Sequence, residues 1–342
     1  MSTLWRDPLF TYDDLLLIPQ HSCLSTRKEA ITETAIGDTK LNFPMISANM
    51  DTVTGVRMAI AMWKAGGLGI LHRFYPPEQE NRRLSDVQQL VDRGVPREYI
   101  YTSIGVGGKE IEWAEKLVEA GAGGLCLDIA HAHSELTGYV LKQLQHLRPH
   151  ITIIGGNVAT PEGAIFLAPL CDAIKVGIGP GSRCTTRSVT GHGVPQAYAI
   201  HSIRRTLPNK PIIADGGLKT SGDIAKALAL GATAVMSGSM LAPSTEAEGT
   251  HYTGQDGRTY KVYRGMASKQ AMEKAGRQPR AAEGVSAPVL VRGTVSELMS
   301  EWKDGLQSAL SYSGCMSITE FREDAILSLI TPTTLVENGV RL

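Results

Sequence analysis

Short apolar runs recur along the chain, separated by stretches with a longer period. Residues 44–48 (PMISA), 68–71 (LGIL), 100–106 (IYTSIGV), 124–129 (GLCLDI), 151–156 (ITIIGG), 173–176 (AIKV), 211–214 (PIIA) and 233–238 (TAVMSG) read as eight strands. Their near-continuous apolarity is that of a parallel sheet covered on both faces. Between them apolar residues fall three and four apart, as over 109–120, which predicts amphipathic helices. Thr160-Pro161-Glu162 reads as an N-cap with proline at the first helical position. Gly222-Asp223 opens another helix and Gly231 closes it. Eight strand–helix units predict an α/β fold, a (β/α)8 barrel forming a single domain over 1–342. An open doubly wound sheet is the alternative, but no G-x-G-x-x-G follows the first strand. Residues 241–292 break the repeat and read as a flap-like insertion before a last helix at 294–312.

In a barrel the chemistry sits at the C-terminal strand ends. Those ends are polar here: Ser47, Asn49, Met50 and Asp51; His72 and Arg73; Asp128 followed by His131, His133 and Ser134; Asn157; Asp215-Gly216-Gly217; Gly238-Ser239. The sixth strand runs into KVGIGPGSRCTTR, where Cys184 lies among Gly177, Gly179, Gly181, Ser182, Thr185 and Thr186. Glycines let the backbone take positive φ and approach a ligand, and the hydroxyls donate to phosphate or to a reacting group. A thiol in that setting reads as a nucleophile rather than a small buried hydrophobe. Glycine amides after strands seven and eight suit a phosphate, and a carboxylate such as Asp215 suits a ribose diol, so the pair points to a 5′-nucleotide. His131 and His133 lack a further ligand set and read as a polar loop rather than a metal site.

Composition narrows the rest. The 342 residues carry 34 Lys+Arg and 34 Asp+Glu, so no electrostatic footprint for nucleic acid or an anionic membrane is present. The longest apolar runs are of strand length, too short to span a bilayer. MSTLWRDPLF lacks a signal pattern, and five scattered cysteines read as reduced thiols. A cytoplasmic protein is expected.

FTYDDLLLIPQHS, SANMDTVT, LDIAHAHS, GGNVAT, KVGIGPGSRCTTR, IIADGG and YRGMAS together resemble the IMP dehydrogenase and GMP reductase family over nearly the whole chain. The resemblance implies a barrel, a homotetramer, a purine nucleotide substrate (GMP or IMP) and a nicotinamide cofactor. The regulatory domains often inserted after the second helix are absent, since residues 76–98 pass straight to the next strand. By resemblance Cys184 attacks purine C2, with Thr186 beside it. Ser182, Gly217, Gly238, Ser239 and Tyr263 match the phosphate set, and Asp215 with Gly216 the ribose side. Gly265, Met266 and Ala267 match the segment along the base, with Ser47, Met50 and Arg280 also on the substrate side. Asp128, Ala130, Ser134 and Asn157 match the nicotinamide side, and Arg73 the place of a basic residue that meets the extra phosphate of NADPH. The resemblance also offers a potassium ion the backbone carbonyls of Gly177, Gly179 and Cys184.

The family runs two reactions through one covalent step. The dehydrogenase oxidises IMP with NAD and activates water with an Arg-Tyr pair on its flap. The reductase expels ammonia from GMP, takes hydride from NADPH, and relays a proton through a threonine and a glutamate. Here Arg280 is followed by Ala281, and RAAEG resembles the reductase pattern with Glu283 as the relay acid. HRF after strand two and LQSALSYSG near the C-terminus point the same way, whereas MDTVT, YRGM and CTTR also suit dehydrogenases. GMP reductase is the expectation, IMP dehydrogenase the alternative. Outside these stand a flavin-binding barrel and a non-catalytic purine-nucleotide-binding protein.

Overall fold

Alternation along parallel strands decides which side chains fill the interior, and the chain follows it. In a computed structural model, residues 5, 9–276 and 278–337 are described. The two ends of the expected 1–342 domain, and most of the MSTLWRDPLF segment, lie outside the described residues.

Eight strands, Met45–Ser47, Leu68–Leu71, Tyr101–Ile104, Gly124–Asp128, Thr152–Val158, Ala173–Val176, Ile212–Asp215 and Ala234–Ser237, pair in parallel. Strand eight returns to strand one, Met236 opposite Ile46, and closes the barrel. All eight fall where the apolar runs predict them. Every second residue points inward: Ile46, Leu68, Ile70, Tyr101, Cys126, Ile154, Ala173, Ile213, Ala234 and Met236 form one buried cluster. The residues between them, such as Met45, Leu71, Leu127, Ile174, Val176 and Val235, pack under the helices. A hairpin, Thr34–Ile36 with Thr39–Leu41, plugs the N-terminal mouth with Ile36 and Leu41. The Thr39 and Tyr101 hydroxyls share a hydrogen bond of 2.8 Å there.

The outer helices are Val56–Lys64, Arg82–Asp92, Glu110–Glu119, Glu135–Gln143, Pro161–Leu167, Gln196–Thr206, Ser221–Ala229 and Val295–Tyr312. Thr160 caps the fifth, its hydroxyl accepting from Gly163 N. The seventh begins at Ser221, ahead of the predicted Gly222-Asp223. Thr220 is its cap, because its side chain and that of Asp223 exchange reciprocal bonds with the backbone. The eighth is capped in the same way by Thr294 and Glu297.

Between the eighth strand and this helix lies a three-stranded antiparallel sheet, His251–Thr253, Thr259–Arg264 and Ser286–Leu290, with the short helix Lys269–Lys274. The sequence pattern did not announce a further two-stranded sheet in which Leu15–Ile18 pairs with Ile326–Leu329.

Candidate active site

Cys184 sits where the sixth strand leaves the barrel. Gly177 has φ +150°, and a Cβ there would lie 2.2 Å from the Asp215 carbonyl oxygen, so only glycine fits. The loop ends in the helical turn Thr186–Thr190. The Cys184 thiol donates to Thr186 Oγ1 at 3.1 Å, and the Thr186 hydroxyl donates to Glu283 Oε2 at 2.7 Å. Glu283 is 97 residues further along the chain. Backbone bonds on both sides bring it there: Thr185 N donates to Glu283 O and Glu283 N to Ala267 O, each at 2.9 Å. Val285 N adds a bond to Arg183 O at 3.0 Å. The cysteine loop, the 265–268 segment and the returning flap are thus laced together, and they place thiol, hydroxyl and carboxylate in one line.

The line opens on a cavity of about 690 Å³. Thr186, Asp215, Gly216, Met266 and Ala267 line it with Cys184, and so do Arg73, Asp128, Ala130, Asn157 and exposed Arg280. A second cavity of about 770 Å³ shares Pro180 with the first and holds Ser182, Gly217 and Ser239. Three of the expected phosphate residues therefore share the second cavity, while the expected cofactor residues Arg73, Asp128, Ala130 and Asn157 share the first with Cys184. Tyr263 is buried against Gly238 and Met50: a Cβ on Gly238 would fall 2.7 Å from its hydroxyl oxygen. Burial pushes the Tyr263 hydroxyl up to about 12, so it stays a neutral donor beside Ser182.

Six expected ligand residues line neither cavity: Met50, Gly238 and Tyr263 pack on one another, Gly265 backs the cysteine loop, and Ser47 and Ser134 are engaged elsewhere. Ser47 follows inward-facing Ile46, so the pleat turns it outward, where it is fully buried and accepts from Thr54 Oγ1 at 2.8 Å. Ser134 instead caps the fourth helix, with its hydroxyl 2.9 Å from Thr137 Oγ1. Gly265 packs directly against the cysteine loop: a Cβ there would lie 2.8 Å from the Arg183 carbonyl oxygen.

Below the cavity lies a residue that the sequence reading passed over. Lys175, read only as part of an apolar strand, points into the barrel and is 2% exposed. Its ammonium meets Asp128 Oδ1 at 2.6 Å and Asp215 Oδ2 at 2.8 Å, and bonds Asn157 Oδ1. Gly156 makes room for it, since a Cβ there would lie 2.5 Å from that of Lys175. Burial alone would lower the lysine and raise the Asp128 carboxyl. The ion pairs outweigh burial in both, so Lys175 is raised, Asp128 is lowered, and both stay charged. The available signal was parity: Asp128, Lys175 and Asp215 each lie two residues beyond an inward-facing apolar residue on strands four, six and seven.

A second buried charge ties the flap to the barrel. Asp51 is bound by Arg264 at the end of a flap strand and by Lys274 at 2.9 Å on the flap helix. Its amide donates to Met266 Sδ at 3.3 Å, next to the base-side segment. Beneath it, burial pushes the His72 ring down to about 3, so the ring is neutral and Nδ1 accepts from Phe74 N at 3.1 Å.

The expected cofactor side has fitting chemistry. The Arg73 guanidinium lies 4.6 Å from the Phe74 ring centre and donates to Asp128 O at 3.2 Å, on the cavity wall beyond Cys184. A potassium ion fits less well, because the Gly177 carbonyl already accepts Asn157 Nδ2 at 2.7 Å. No step below is routed through a cation. Among the described residues no cluster of His, Cys, Asp and Glu could hold a metal, and the His133 ring packs on Phe166.

The chain is similar to proteins with two names. A GMP reductase from Ligilactobacillus salivarius (strain UCC118) is 34% identical over 324 aligned residues, covering 92% of this chain and 95% of the relative. Inosine-5′-monophosphate dehydrogenase from Escherichia coli (strain K12) is 31% identical over an alignment 464 positions long, gaps included, covering 96% of this chain and 95% of the relative. Among solved structures, a cysteine-to-alanine variant of GMP reductase from Trypanosoma brucei, in complex with guanosine 5′-monophosphate, superposes with a TM-score of 0.86. It is 30% identical and covers 97% of this chain and 98% of its own. The family model for the IMP dehydrogenase / GMP reductase domain matches residues 9–341. With the closed barrel and the strand-end thiol, these likenesses establish that the chain belongs to the IMP dehydrogenase / GMP reductase family of oxidoreductases.

Proposed function

We propose that this protein is a GMP reductase, converting GMP to IMP and ammonia at the expense of NADPH. The observation that carries this reading is the hydrogen-bonded line from Cys184 through Thr186 to Glu283. A dehydrogenase must activate water, whereas a reductase must protonate an amine. The line ends in a carboxylate suited to the second task, and Ala281 stands where an Arg-Tyr pair would need its tyrosine.

The nucleotide phosphate is held by Ser182, Gly217, Gly238, Ser239 and Tyr263, and the ribose diol by Asp215. Met266 and Ala267 lie along the base. Cys184 sulfur attacks C2 while its proton passes through Thr186 to Glu283, balancing the new C–S bond with a proton stored on the carboxyl. Glu283 then returns the proton along the same route to the exocyclic nitrogen. The C2–N bond breaks, and ammonia leaves behind a thioimidate. The reduced nicotinamide supplies the hydride that C2 needs. Thiolate departure from C2 then yields IMP, and a proton taken up from solvent restores the Cys184 thiol in place of the one that left with ammonia. Arg73, Asp128, Ala130 and Asn157 would hold the cofactor, with Arg73 as the cation available to its extra phosphate. The flap sheet and the 265–268 segment exclude water from the thioimidate, which protects it from hydrolysis.

The relatives named as IMP dehydrogenases support a second reading, oxidation of IMP to XMP with NAD. The test is direct. GMP with NADPH should consume absorbance at the reduced-nicotinamide band and yield IMP, whereas IMP with NAD should generate none. Robust formation of reduced nicotinamide from IMP would favour the dehydrogenase instead.

A further inference from the structure

The proton relay leaves the most buried charge of the site without a task. Lys175 reaches Asp128, Asp215 and Asn157, and Asn157 Nδ2 closes the ring onto Asp215 Oδ2 at 2.9 Å. An ammonium has three donors, and all three are spent on these acceptors. Lys175 therefore offers nothing to a ligand directly. The two carboxylates differ in this respect: each side chain is 20% exposed, and both line the cavity. Asp215 stands beside Gly216 on the nucleotide side. Asp128 stands beside Ala130 and Arg73 on the cofactor side. The charged and titratable groups facing the lysine are these two carboxylates, Arg73 above Asp128, and the Cys126 thiol below.

We propose that Lys175 is a positioning residue that locks Asp215, Asp128 and Asn157 into one rigid unit, holding the ribose of the purine nucleotide and the nicotinamide cofactor in register. The proposal rests on the function proposed above. Two carboxylates buried at one site cannot both stay ionised without a cation between them. Without the ammonium bond at 2.8 Å, the Asp215 carboxylate would be free to rotate away from the ribose diol. Three strands meet at this one ammonium, so a change on the nucleotide side is felt on the cofactor side.

The test compares wild-type protein with Lys175→Met and with the charge-balanced double variant Lys175→Met/Asp128→Asn. Equilibrium binding of GMP is measured across the neutral pH range, together with steady-state turnover of GMP and NADPH. Wild-type GMP affinity should be nearly flat with pH. Lys175→Met should bind GMP more weakly, with an affinity that changes by up to about tenfold per pH unit as the shared proton is lost, and its KM for NADPH should rise by about tenfold or more. The double variant, with one anion fewer, should regain a pH-independent GMP affinity while KM for NADPH stays raised. It also carries the test if Lys175→Met fails to fold, because it buries no excess charge. A Lys175→Met protein with wild-type pH dependence and wild-type KM for NADPH would overturn the proposal, as would a double variant with normal NADPH kinetics. Wild-type protein that binds GMP without reducing it would overturn the function and still leave the GMP-binding comparison decisive for Lys175. Wild-type protein that does not bind GMP would overturn both.

Discussion

At the residue scale the proposed chemistry rests on three side chains, two in one loop and the third 97 residues away. Cys184→Ala removes the sulfur proposed to bond to C2. Its turnover should fall by about a thousandfold or more while GMP binding is retained, measured by steady-state assay and equilibrium titration. Glu283→Gln keeps the bond from Thr186 and loses the ability to carry a proton. It should slow ammonia release by about a hundredfold and hydride transfer far less, as resolved by single-turnover kinetics of the two half-reactions. Equal slowing of both would count against the relay. Cys184 was legible in the sequence because its signal is local: glycines, hydroxyls and a thiol within one short loop. Lys175 was not, because a lysine on an apolar strand acquires meaning only when closure of the barrel brings Asp128 and Asp215 to it. Ser47 was misread for a related reason. A residue at a strand end faces the ligand or the helices according to its parity, and Ser47 has the outward parity.

At the scale of elements, the flap is held by charge and by backbone rather than by a large apolar face. Asp51 anchors both the strand carrying Arg264 and the helix carrying Lys274. Burial would raise the Asp51 carboxyl, but the bond to Arg264 and the charge of Lys274 outweigh it, so it is lowered below 3.8. A depressed carboxyl stabilises the fold above the unfolded value and loses that contribution as pH falls through the folded one. The flap anchor should therefore hold through the neutral range and fail only in strong acid. Asp51→Asn should loosen the base-side segment, raising the KM for GMP more than it lowers kcat, and should reduce stability by about 3 kcal/mol, read from denaturant unfolding. Thr294→Ala, which removes the capping box of the last barrel helix, should cost about 1 kcal/mol with little effect on KM. The eight strands and the Thr160 cap were legible from local period and cap chemistry, whereas the cap of the seventh helix was read two residues late, at Gly222-Asp223 instead of Thr220. The flap sheet was not, since its pairing of Thr259–Arg264 with Ser286–Leu290 spans a helix and a turn that leave no short-range signature.

At the scale of the whole molecule, a barrel supplies a rigid floor of charge beneath a cavity whose two ends differ in chemistry. That floor has a cost in acid. His72 is neutral and buried, with a folded value of about 3 against an ordinary 6.5. The unfolded chain binds a proton that the folded one refuses, so stability is greatest above 6.5 and falls as pH drops from there toward 3. Within that window the loss approaches about 1.4 kcal/mol per pH unit, and His72→Gln should flatten the slope in thermal unfolding followed against pH. The family and its barrel were legible from the combined motifs. The choice of reaction is the harder matter, because both reactions share Cys184 and the residues expected to separate them, Arg280, Ala281 and Glu283, lie far along the chain on the flap. The most direct measurement places purified protein with GMP and NADPH, and separately with IMP and NAD, and follows the reduced-nicotinamide band while ammonia is quantified. The account predicts loss of NADPH matched one for one by ammonia and IMP, and no reduction of NAD by IMP. Reduction of NAD by IMP, with no ammonia released from GMP, would contradict it.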